Sequence, residues 1–209
     1  MPSAEVPGRD CPLCPRLKAF RDANRVQYPD FFNAPVPSFG DPEARLLIVG
    51  LAPGLKGANK SGRPFTGDYA GDLLYATLAK FGLSRGTYAA RADDGLVLVG
   101  CRITNAVRCV PPQNKPLPIE ENTCRRFFES EVASLPGLKT ILALGLVAHN
   151  QVLKGLGLKR SAYPFKHGAL HPLPNGLTLA DSYHCSRYNT NTGVLTTAMF
   201  EEVVARIAR

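Results

Sequence analysis

Residues 46–81 read L-L-I-V-G-L-A-P-G-L-K-G-A-N-K-S-G-R-P-F-T-G-D-Y-A-G-D-L-L-Y-A-T-L-A-K-F, and the rest of the chain is organised around them. The continuous apolar run 46–51, bounded by turn residues, predicts a strand buried on both faces. Leu73, Leu74, Leu78 and Phe81 then recur at helical spacing, and Gly82 stands where a left-handed C-terminal cap would fall. Between strand and helix lies a loop of about sixteen residues, where two to six is usual, so it should do more than connect. It carries Pro53, Gly54, Gly57, Gly62, Pro64 and Gly67, one aromatic residue, Phe65, and one carboxylate, Asp68. Glycines let a backbone approach a ligand closely, and the next helix offers unpaired N–H groups to an anion or a flat polar ring. The phosphate-binding pattern G-x-x-x-x-G-K-[ST] is absent, because Lys60-Ser61 lacks the required preceding glycine. Taken alone, Asp68 reads as a helix N-cap and Phe65 as a core residue.

Outward from this stretch, residues 15–26 suit a polar helix, and 28–42 are too rich in Pro and Phe to stay regular. Residues 83–95 read as loop, with a turn of helix near 88–92. A β-branched second strand follows at 96–104, with Asn105 directly after it. The run P-P-Q-N-K-P-L-P (111–118) excludes helix or sheet interior. A helix over 119–135 puts Cys124, Phe128, Val132 and Leu135 on one face. A strand over 139–145, a helix over 146–154, a strand over 177–183, a polar loop over 184–193 and an amphipathic helix over 194–208 complete the chain.

Strands alternating with helices imply a single α/β domain over 1–209, with a four-stranded parallel central sheet flanked by helices. In such sheets ligands bind outside the carboxyl ends of the strands. The 53–68 loop, Asn105 and the 184–193 loop each follow a strand. Asp68, Asn105 and His184 should therefore meet at one edge.

The 209 residues are 44% apolar and 20% charged, which excludes a disordered chain and suits one sizeable core. Lys and Arg outnumber Asp and Glu by 25 to 17, a net charge of +8 that favours a polyanionic partner. The sequence has no run of eighteen apolar residues and no signal-peptide core, so a soluble, cytoplasmic protein is expected. Six cysteines in such a chain argue for thiols or metal ligands rather than a disulfide framework. Cys11-Pro-Leu-Cys14 is a C-x₂-C knuckle, and Cys109 and Cys124 form a wider pair with fourteen residues between them. These four thiols fit zinc or a [4Fe–4S] cluster equally well by spacing, tying the irregular N-terminus to the Pro-rich loop. Cys101 and Cys185 are left as the unligated pair.

With these pieces together, the chain resembles the B-type (fifth family) iron–sulfur uracil-DNA glycosylases. G-L-A-P-G-L-K-G-A-N-K-S-G-R-P-F-T-G-D (50–68) resembles that family's first motif and H-C-S-R-Y-N-T-N-T-G (184–193) its second. Relatives of the A type have G-E-A-P-G and G-R-P-F-V-G; here Leu51 and Thr66 replace the Glu and Val, and N-K-S is inserted, which favours the B type. The resemblance implies a [4Fe–4S] cluster on Cys11, Cys14, Cys109 and Cys124. It also implies excision of uracil, and of other deaminated bases such as hypoxanthine, by hydrolysis of the N-glycosidic bond in DNA. On that reading Asp68 supports the sugar cation and its water, Asn105 positions them, and His184 stabilises the departing base. Ala52, Pro53, Gly54 and Phe65 line the pocket, with Asn189 holding the second-motif loop or the DNA backbone. Arg187 and Tyr188 enter the duplex, while Arg108, Lys115, Arg125 and Arg126 bind phosphates. A monomer associated with the nucleoid is expected. The competing readings are a redox protein built on the same cysteines and a zinc-stapled nucleic-acid-binding module without base release.

Overall fold

A computed structural model describes residues 4–208. The first helix, α1 (Pro15–Gln27), begins directly after Cys14 and is followed by irregular chain up to a two-residue strand, β1 (Phe39–Gly40). Strand β2 (Leu46–Gly50) is buried along its whole length. Its side chains alternate between two cores. Leu46 and Ile48 pack with Leu74 and Leu78 of α3 (Tyr69–Lys80) and Phe200 and Val204 of the C-terminal helix. Leu47 and Val49 face Phe128, Val152 and Leu153 on the opposite side. An apolar residue at every position is therefore what a strand between two helical layers requires.

The loop between β2 and α3 contains one short helix, α2 (Ala58–Ser61). After α3 the chain forms a small antiparallel pair, β3 (Ser84–Arg85) with β4 (Val97–Leu98), and then β5 (Cys101–Asn105). Helix α4 (Pro118–Ala133), β6 (Thr140–Leu144), α5 (Leu146–Gly155), β7 (Leu170–Pro172), β8 (Thr178–Ser182), α6 (Arg187–Asn191) and α7 (Thr197–Ile207) follow. The main sheet has the order β1-β5-β2-β6-β8-β7, with β5, β2, β6 and β8 parallel and the two short outer strands antiparallel.

The expected four-stranded parallel core is present, with an edge strand added on each side. The predicted strand over 96–104 is divided instead. Gly100 takes φ +63 and breaks it, so 97–98 pairs with β3 and only Cys101–Asn105 joins the main sheet. No helix forms near 88–92: the Ala89 N–H donates to Asp94 Oδ2, and the Tyr88 ring stacks on Tyr75 with centroids 4.5 Å apart. The two polar loops each hold a short helix, α2 and α6, that their composition concealed.

Because β2, β5, β6 and β8 run parallel, their carboxyl ends share one edge, and the chain passes from β2 to β5 on one side and then crosses back to β6 on the other. In the register, Gly50 stands opposite Asn105 and Leu144 opposite Ser182. This reversal of strand order is where an open α/β sheet forms a crevice. Arg108, expected on the surface, lies 3% exposed beneath that edge. It donates to Ser38 Oγ at 2.6 Å and to Glu131 Oε2 at 2.6 Å, while Arg102 Nε donates to Glu131 Oε1 at 2.8 Å. Burial alone would raise the Glu131 pKa; the two guanidiniums outweigh it and hold the carboxyl below the usual range. Arg108 is thus a brace between β5 and α4, not a phosphate contact.

Candidate active site

A cavity of about 700 Å³ opens at the carboxyl ends of β2 and β5, and Ala52, Pro53, Gly54, Phe65, Asp68, Asn105 and His184 all line it. The segments that the sequence separates by more than a hundred residues therefore meet in one slot. Two glycines show how tightly they meet. A Cβ on Gly50 would lie 2.5 Å from Asn105 Oδ1 and 2.6 Å from Phe65 Cζ, so the amide and the ring converge over the end of β2. A Cβ on Gly57 would lie 2.4 Å from Asp68 Oδ2, so the carboxylate occupies the space a side chain there would fill.

Asp68 is the N-cap of α3, its Oδ1 accepting from the Gly71 N–H at 3.1 Å. The cap and the slot are one function of one side chain: the hydrogen bond orients one oxygen and leaves the other against Gly57. Burial raises the Asp68 pKa from its ordinary value, and the Gly71 N–H offsets part of that shift. Phe65 sits in the left-handed region at φ +52, a strained position for an aromatic residue. Its neighbours hold it there. Tyr75 Oη donates to the Pro64 carbonyl at 2.7 Å, the Gly67 N–H donates to Tyr88 Oη at 3.3 Å, and Arg63 Nε donates to Thr66 Oγ1 at 2.8 Å. Arg63 is itself fixed by two 2.7 Å contacts to Asp94.

His184 follows β8, with its ring 5.9 Å from that of Phe65. Burial lowers its pKa, which favours the neutral imidazole. Asn189 lies outside the main slot. Its Nδ2 donates to the His184 carbonyl at 2.8 Å, so it holds the second-motif loop in place. Arg187 and Tyr188 stand on α6 at the rim and do not line the slot. The Arg187 guanidinium lies over the Tyr69 ring at 5.4 Å, and Tyr188 is 75% exposed. The sequence reading missed Leu51, Lys56, Asn114 and Ser186, which also line the cavity. Asn114 comes from the Pro-rich run, at φ +57, and its only sequence signal was that this run could be neither helix nor strand.

Cys11, Cys14, Cys109 and Cys124 come together in a separate small cavity with Leu17, Arg21 and Phe127. The Arg108 N–H donates to Cys124 Sγ at 3.3 Å, and Arg21 Nη1 to Cys109 Sγ at 3.5 Å. Burial pushes the Cys109 thiol up to about 12 and the Cys14 thiol up to about 11. Thiolates here would need a cation to exist at neutral pH. Four thiols lining one cavity are a donor set that suits zinc or an iron–sulfur cluster. Cys101 and Cys185 are buried elsewhere in the main core.

The chain is similar to known proteins. The family described as the uracil DNA glycosylase superfamily matches residues 37–208. A type-5 uracil-DNA glycosylase of Thermus thermophilus is 48% identical over 95% of this chain and 93% of its own length. One of Pyrobaculum aerophilum is 38% identical over 95% of this chain and 88% of its own. A type-4 enzyme of the same organism is 30% identical over 71% of this chain and 62% of its own, a shorter and weaker likeness. With a family model matched over residues 37–208 and relatives 48% and 38% identical over 95% of its length, the chain belongs to the uracil DNA glycosylase superfamily.

Proposed function

We propose that this protein is a monofunctional DNA glycosylase that everts uracil from DNA and hydrolyses its N-glycosidic bond, the first step of base excision repair. The observation that carries the reading is the meeting of a carboxylate, an amide, an imidazole and an aromatic ring in one slot. The target base must leave the stack, at a cost of a few kcal/mol that is least for a mispaired base. Phe65 stacks on the everted ring, a contact of about 1–3 kcal/mol, and the backbone of 52–54 lines its edge.

Breaking the bond sends its electron pair to the base and leaves an oxocarbenium-like sugar, so charges of opposite sign develop at the two ends. Asp68 supports the cation and orients the water that adds to C1′, accepting its proton. Asn105 holds that water or the carboxylate. His184 donates an N–H to the departing oxygen, and a neutral imidazole does so without first transferring a proton. The products are a free base and an abasic sugar, with the phosphodiester backbone intact.

The same reading extends to deaminated purines such as hypoxanthine, since the slot is roomy and open, and to a monomer in which residues 1–209 act as one unit. Arg187 and Tyr188 at the rim enter the duplex, and Lys115 and Arg126 meet phosphates without reading sequence. Cys11, Cys14, Cys109 and Cys124 hold a [4Fe–4S] cluster. The cluster would supply a rigid staple between α1, the Pro-rich loop and α4. The loop it anchors carries Asn114 to the slot.

Three outcomes follow. Incubation with uracil-containing oligonucleotides and then alkali should cut the strand at uracil; intact strands would contradict the reading, and a panel with hypoxanthine, xanthine and thymine opposite each base fixes its range. Burial raises the Asp68 pKa, so activity is present above that pKa and lost as pH falls through it. The acid limb of the single-turnover rate should therefore lie above the ordinary aspartate value of about 3.9. Asp68→Asn should slow release by about 100-fold or more and abolish that limb; an unchanged rate would return Asp68 to a helix cap alone. Protein purified without oxygen should carry about four irons and four sulfides per chain. Cys124→Ala should lose them with the visible absorption, while stoichiometric zinc would contradict the assignment.

A further inference from the structure

A second cavity, of about 360 Å³, adjoins the base slot and shares Leu51 and His184 with it. That volume falls within the usual range of ligand pockets, about 300–1,000 Å³. Its other walls include Leu146 and Val147 at the start of α5, Phe165, Tyr183 and Asn189. Leu146 is 53% exposed and Val147 41%, which leaves apolar side chains at the mouth of the cavity.

The aromatic wall is braced from behind by groups that take no part in the base slot. The Tyr183 ring stacks on His167 with centroids 4.9 Å apart, and the Tyr183 N–H donates to His167 Nδ1 at 3.1 Å. Phe165 lies 6.1 Å from Tyr183 and meets the edge of His149 at 5.5 Å. His149 is fixed on both sides, Nδ1 at 2.7 Å from Asp181 Oδ1 and Nε2 at 2.9 Å from the Tyr163 carbonyl. The second Asp181 oxygen holds His171 Nε2 at 3.1 Å. Asp181 is fully buried. Buried polar networks are costly unless every member is satisfied, and when satisfied they lock the groups they touch. Three of the chain's four histidines thus serve to hold two aromatic rings still, beside the fourth.

We propose that this second cavity receives the nucleobase adjacent to the everted one on the same strand, packed against Phe165 and Tyr183, face-on to one ring and tilted to the other. The proposal rests on the glycosylase reading above. A nucleobase is the occupant because the cavity adjoins the base slot, with Leu51 and His184 common to both, and because its walls are mainly aromatic and apolar. Stacking of that kind tolerates any base and favours a strand already unpaired. The protein then grips two consecutive unstacked nucleotides instead of one.

The test is single-turnover uracil release from single-stranded oligonucleotides in which the 5′ or the 3′ neighbour of uracil is replaced by a tetrahydrofuran spacer without a base. For one of the two neighbours, loss of the base should slow the wild-type protein about tenfold or more. Phe165→Leu and Tyr183→Leu, which keep an apolar side chain without a flat ring, should slow release from the unmodified strand by a similar factor. Both should be nearly indifferent to the spacer, while Tyr183→Phe should remain sensitive. Wild-type release unaffected by either spacer would overturn the proposal and leave the glycosylase reading intact. So would leucine variants slowed equally on every substrate, since a purely structural role predicts that result. Absence of uracil release from all substrates would overturn both.

Discussion

The slot depends on a carboxylate pressed against a backbone that has no room for a methyl group. Asp68 caps α3 through the Gly71 N–H with one oxygen and fills the space over Gly57 with the other. The cap fixes where the carboxylate points, the missing Cβ at Gly57 lets it reach the cavity, and both belong to the same loop. That loop is in turn held to the body of the protein by Tyr75, Tyr88 and the Arg63–Asp94 pair, which keep Phe65 in a backbone conformation it would not hold alone.

Burial acts on the carboxyl and the imidazole of the slot in opposite senses on the pH scale but toward the same end, the neutral form. It raises Asp68 and lowers His184. The Gly71 N–H at the start of α3 offsets part of the shift on the acid, whereas the shift on the imidazole is set by burial. In the proposed reaction a developing sugar cation and a developing base anion would meet an acceptor and a neutral donor in a site of low polarity, where such contacts are strongest. The thiol cage lies apart from this chemistry and touches it through the Pro-rich loop that brings Asn114 to the slot.

The parallel core was legible because a strand packed on both faces must be apolar at every position, as residues 46–50 are. The convergence of Asp68, Asn105 and His184 was legible for a topological reason: each follows a parallel strand, so each lies on one edge. What escaped the sequence depends on tertiary partners. The break at Gly100, the edge strands and the irregular chain around Tyr88 are set by pairing and side-chain contacts that no local periodicity records. Arg108 looked like a surface cation because the carboxylate that buries it, Glu131, lies 23 residues further along the chain. The aromatic wall of the second cavity was hidden in the same way, since Phe165, Tyr183 and the histidines behind them are scattered over an irregular segment.

The most direct measurement is the single-turnover rate of uracil release by Gly57→Ala. A Cβ added at Gly57 meets the Asp68 carboxylate, so the substitution bears directly on where that group stands. Displacing the Asp68 carboxylate by that methyl should slow release by about 100-fold while the protein remains folded, as expected for a misplaced catalytic group. A rate equal to that of the wild-type protein would contradict the account.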